Sequence, residues 1–81
     1  MDIIKFIERA GGCAKAAELF KESPRTVASW YYGEKLPKPA VVCKIIKLTK
    51  GELDYNRVYA PLIAKMAEKQ AQILIKKANK E

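Results

Sequence analysis

Residues 13–32 read Cys-Ala-Lys-Ala-Ala-Glu-Leu-Phe-Lys-Glu-Ser-Pro-Arg-Thr-Val-Ala-Ser-Trp-Tyr-Tyr, and this stretch decides the fold. Cys13, Ala16, Ala17 and Phe20 recur at i, i+3, i+4 and i+7, which is one apolar helix face. Ser23 is a good N-cap, and Pro24 suits a first helical position because the N–H it lacks would have no partner there. At about 100° per residue, Val27, Trp30 and Tyr31 then point to one side, and Arg25, Ala28, Ser29 and Tyr32 to the other. The pattern predicts two short helices across a tight turn, with Ala17 small enough at the crossing to let the axes approach steeply. The outward side of the second helix is left free.

On the N-terminal side, Ile3, Phe6, Ile7 and Ala10 predict a short amphipathic helix capped by Asp2 and stopped by Gly11-Gly12. On the C-terminal side, Gly33 supplies a stop, and Glu34 to Lys38 forms a connector whose Leu36 is expected to anchor in the core. Pro39 opens a fourth helix reaching about Thr49, with Val42, Ile45, Ile46 and Thr49 on one face and Gly51 as its end. Glu52 to Tyr59 reads as coil, with Leu53, Tyr55, Val58 and Tyr59 available to cover the open side of the core. From Pro61 a long terminal helix is expected, uninterrupted by glycine or proline. The division is therefore a domain over 1–60 and a C-terminal helix over 61–81, serving as a dimerisation element or as a cover for the core.

Eighty-one residues allow one modest core and no enzyme cleft of ordinary size. Apolar residues make up 49% and charged residues 31%, a folded chain rather than a disordered tail. Sixteen Lys and Arg against nine Asp and Glu give a net charge of +7, which favours a polyanionic partner. Residues 21–50 concentrate the excess, with seven basic and two acidic side chains.

Catalytic chemistry finds little footing. The chain has no histidine, its acids are scattered, and Gly11-Gly12 lacks the Gly-Lys-Ser/Thr continuation of a phosphate loop. No catalytic residue, cofactor, metal or small-molecule substrate is expected. Cys13 and Cys43 could pair on parity, but apolar positions in a reducing cytosol favour two free thiols. No apolar run approaches the ~18–20 residues of a spanning helix, and the start lacks the order of a signal peptide. A cytoplasmic protein without a membrane partner is expected.

The carrying residues Ala17, Ser23-Pro24, Val27, Ser29-Trp30, Gly33, Leu36-Pro37 and Cys43 make residues 3–60 resemble the Cro-type repressors of temperate phages and prophages. Two positions depart from that pattern: Lys21 stands where glycine is frequent, and Glu22 where the residue is usually apolar. The resemblance implies an all-α, Cro/lambda-repressor-like helix-turn-helix domain with an extra C-terminal helix. It also implies operator binding by a small transcriptional repressor. Two alternatives remain open: an excision or integration directionality factor binding attachment-site DNA, and an antitoxin or anti-repressor interaction module.

On a helix-turn-helix, Arg25 can give guanine O6 and N7 a bidentate contact, Ala28 can meet a thymine methyl group, and Ser29 can bond a base edge or a phosphate. Ser23, Thr26, Tyr32, Lys35 and Lys38 are the expected contacts to the backbone of double-stranded DNA. A symmetric homodimer would read two half-sites about 34–36 Å apart. The stripe Ile63, Met66, Ala67, Gln70, Ile73 and Leu74 could form its seam, with Gln70 as a polar register mark, or could fold back on the chain's own core.

Overall fold

The computed structural model describes the backbone of residues 1–78 and the side chains of residues 1–71. Five helices follow in order: α1 (Ile3–Ala10), α2 (Cys13–Phe20), α3 (Pro24–Tyr31), α4 (Pro39–Leu48) and α5 (Tyr55–Ala78). The described chain is all-α.

Helix starts follow their caps. The Asp2 carboxylate accepts the Lys5 N–H at 3.0 Å, and the Ser23 hydroxyl accepts the Thr26 N–H at 3.1 Å. Pro24 and Pro39 occupy first-turn positions of α3 and α4. The ends share one device. In each of the first four helices two backbone N–H groups turn back onto carbonyls of the last turn, around a left-handed residue: Gly11, Lys21, Gly33 and Lys50. The stop of α4 thus falls on Lys50 (φ 54°), one residue before the expected Gly51, and Thr49 lies just past the helix. Thr49 keeps a structural job, since its hydroxyl donates to the Ile45 carbonyl at 2.8 Å and accepts the Leu53 N–H at 3.3 Å.

All five helices meet in one apolar core. Ile3 and Ile7 come from α1, Ala16, Ala17 and Phe20 from α2, Val27 and Trp30 from α3, and Val42 and Ile45 from α4. Leu53, Val58 and Leu62 close the remaining side, and no polar or charged side chain is buried among the described residues. Each large aliphatic buried in this way contributes about 1.5–3 kcal/mol. Phe6 stacks on Phe20 with ring centroids 5.4 Å apart, joining α1 to α2. Ala17, 1% exposed, lies between the crossing helices as its size suggests.

Two expectations need correction. Residues 55–59 are helix, not coil: α5 starts at Tyr55, where the Asp54 carboxylate accepts the Arg57 N–H at 2.8 Å. Pro61 is therefore inside α5, which runs through residues 60–61 without a break, and burial of Val58 and Leu62 on either side of it offsets the lost backbone bond. Leu36 is 39% exposed, and the buried anchor of the connector is its neighbour Pro37. Tyr59 explains the choice, because its hydroxyl donates to the Pro37 carbonyl at 2.7 Å and fixes that residue against α5. Tyr31, expected to point inward, packs against the core and is half-buried.

The described chain measures 50 × 22 × 20 Å. Most of the long dimension is α5, whose 24 residues span about 36 Å. Among the described residues no helix is long and apolar enough to cross a membrane.

Candidate nucleic-acid interface

Helix α3 divides cleanly. Val27 and Trp30 are 0% and 3% exposed and pack it on α2, while Arg25 and Tyr32 are exposed and Thr26, Ala28 and Ser29 half-buried. Beside the polar side lies a groove of about 550 Å³. Arg25, Thr26 and Ser29 line it from α3, and Lys35 and Lys38 from the connector. Five of the residues singled out by sequence are thereby brought together. Ser23, Ala28 and Tyr32 do not line the groove; Tyr32, 62% exposed, packs edge-on against Tyr31 at 5.1 Å.

Local hydrogen bonds limit what each hydroxyl can offer. Ser29 Oγ donates to the Thr26 carbonyl at 2.6 Å, so its proton is committed and its lone pairs face outward. In that state Ser29 can accept from an amino group such as adenine N6 or cytosine N4, but cannot donate to a phosphate. Ser23 and Thr26 share a hydrogen bond between their hydroxyls at 2.7 Å. One of those two protons stays available to an outside acceptor, beside the N–H groups of the α3 N-terminus.

Two acidic residues that the sequence reading did not place in the interface also border the groove, Glu22 and Glu34. Each has a lysine from a later helix. Lys44 of α4 forms an ion pair with Glu22 and also donates to the Lys21 carbonyl at 3.3 Å. Lys69 of α5 stands 3.9 Å from Glu34. By contrast, Arg25, Lys35 and Lys38 enter no ion pair among the described residues. The groove therefore keeps three uncommitted cations and two compensated anions, a balance suited to a polyanion.

Lys21 and Glu22 at the α2–α3 turn each have a physical account. Lys21 takes the left-handed conformation (φ 56°, ψ 44°) that glycine would take more cheaply, at a cost of about 1–2 kcal/mol. Glu22 is held by its ion pair with Lys44.

The C-terminal end of α3 is tied to two other helices. Tyr31 donates its hydroxyl to Glu8 Oε2 of α1 at 2.7 Å, and that bond, followed by burial and the Glu8 charge, raises the phenol above its ordinary value of 10.0. Lys65 of α5 donates to the Tyr31 carbonyl at 2.7 Å.

Of the expected dimer stripe, Met66 and Gln70 line a hollow with Gly33 and Glu34 of the same chain, and Ile63, 52% exposed, Ala67 and Gln70 are exposed. Ala60, Ala64 and Ala71 share that exposure. Ile73 and Leu74 lie beyond the described side chains.

Comparisons with protein families, with curated proteins and with solved structures find no match to this chain. Among the described residues no three His, Cys, Asp or Glu side chains gather as a metal site, and Cys13 and Cys43 are both half-buried free thiols.

Proposed function

We propose that this chain binds double-stranded DNA in a sequence-dependent way, with α2 and α3 as a Cro-type helix-turn-helix, and acts as a small phage or prophage repressor. The observation that carries the reading is the face of α3. Its inner side is consumed by the core, and its outer side joins Arg25, Lys35 and Lys38, none of them ion-paired, to the hydroxyls of Thr26 and Ser29. Arg25 would read guanine, and Ser29, accepting, would read adenine or cytosine. Lys35, Lys38 and the Ser23–Thr26 pair would hold phosphates, and a homodimer meeting along the exposed face of α5 would present two such surfaces. Repression follows from occupying DNA that polymerase needs.

Selection from random duplexes, then titration over a salt series, tests this. A dimer meeting about eight phosphates should give a slope of log K against log salt near −7, with one enriched motif of two-fold symmetry. Strong binding with no enriched motif would favour the architectural role in excision or integration. A slope near zero on duplex DNA would remove DNA binding altogether.

A further inference from the structure

The exit of α3 holds an acceptor that the backbone leaves open. Carbonyls of Ala28, Ser29 and Trp30 are taken by the N–H groups of Tyr32, Glu34 and Gly33. Among the described residues no backbone N–H reaches the Tyr31 carbonyl; Lys65 reaches it instead, from α5. The same ammonium lies 4.1 Å from the centroid of the Tyr31 ring, and the far end of that ring is bonded to Glu8. A cation at a helix C-terminus complements the helix dipole, and over an aromatic face it gains a second attraction. Backbones are close here too. A Cβ built on Gly33 would stand 3.3 Å from the Lys65 carbonyl carbon. Three helices therefore converge on one side chain, and Lys65 does not line the groove beside Arg25.

We propose that Lys65 is a positioning residue: its ammonium locks the direction of α5 to the exit of α3, and so sets the angle between the DNA-reading helix and the helix along which a second copy docks. The proposal rests on the DNA-binding reading for its consequence, which is the half-site spacing that a dimer tolerates. It does not rest on that reading for its geometry.

The test uses the full chain with Lys65→Met, Lys65→Arg and, for charge alone, Lys69→Met. Residual dipolar couplings on the free protein report the α3–α5 angle, and the selected operator, cut to one half-site or respaced, reports its use. Lys65→Met should change the angle, weaken the optimally spaced operator about tenfold and flatten the spacing preference. Its single half-site affinity should stay within about twofold of the native protein's. Lys65→Arg should restore the angle and the spacing preference, and Lys69→Met should leave both intact. An unchanged angle in Lys65→Met overturns the proposal. So does an equal loss on one and two half-sites, which would make Lys65 a phosphate contact. If no variant binds duplex DNA, the functional reading fails while the couplings still decide the positioning role. Lys65→Gln, a donor without charge, takes the place of Lys65→Met should that variant not fold.

Discussion

The chain leaves α2 and α3 through the same hydrogen-bonded turn, yet one exit is built on lysine and the other on glycine. At the first, the Glu22 N–H bonds the Ala17 carbonyl at 2.9 Å around a left-handed Lys21. At the second, the Glu34 N–H bonds the Ser29 carbonyl at 2.8 Å around a left-handed Gly33. Both exits are held from behind by a lysine of a later helix, Lys44 in one case and Lys65 in the other. What differs is the space outside. Lys21 is exposed, whereas a side chain on Gly33 would press on the backbone of α5 at Lys65. Glycine is thus demanded at this exit by a neighbouring helix as well as by the turn.

That contrast can be broken in order of size. Gly33→Ala combines left-handed strain with a 3.3 Å contact to backbone, and should destabilise the chain by about 2 kcal/mol in urea unfolding. Gly51→Ala is its control: the φ of 81° is similar, but nothing lies within 4 Å, so a loss of about 1 kcal/mol is expected. Equal losses at the two glycines would mean that α5 does not press on the α3 exit. Lys21→Gly should work in the opposite direction, raising stability by about 1 kcal/mol through relief of the left-handed penalty. Next comes Lys44→Met, which removes a half-exposed ion pair and should cost no more than about 1 kcal/mol, with the effect shrinking in high salt.

The smallest effect concerns pH. Because the Tyr31 phenol is raised in the folded chain, its contribution is complete below its ordinary value of 10.0 and is lost as pH rises through the raised folded value. Native stability should therefore fall more steeply than that of Tyr31→Phe in alkaline solution. Parallel curves would show that the Glu8 bond does not persist in solution.

Much of this was legible in the residues, for identifiable reasons. Helix α3 is overdetermined: Ser23 caps it, Pro24 starts it, Val27 and Trp30 give its inner face, and Gly33 ends it. The direction of Arg25 and Ser29 follows from that periodicity alone. Helix α5 misleads because its proline lies at the seventh position instead of the first, and the quieter signal, Asp54 three residues before Arg57, marks the true start. Leu36 outranks Pro37 in apolar character, yet the Tyr59 hydroxyl selects Pro37, a choice made by tertiary contact. The same holds for the acids of the groove. Nothing in the spacing pairs Glu22 and Glu34 with a lysine, and only the fold delivers Lys44 and Lys69 to them. The commitment of the Ser29 proton to the Thr26 carbonyl is a rotamer choice that spacing does not encode.

The central claim is that the outward face of α3 reads bases, and Arg25→Ala tests it most directly. Arg25 is exposed and in no ion pair among the described residues, so its removal should leave unfolding within about 0.5 kcal/mol of the native chain. Affinities of both proteins would be measured at one salt concentration for the selected operator and for a scrambled duplex. The expected result is a loss on the operator corresponding to about 1–3 kcal/mol per contact, with affinity for the scrambled duplex nearly unchanged. Equal losses on the two duplexes, or no loss on either, would contradict base reading by this face.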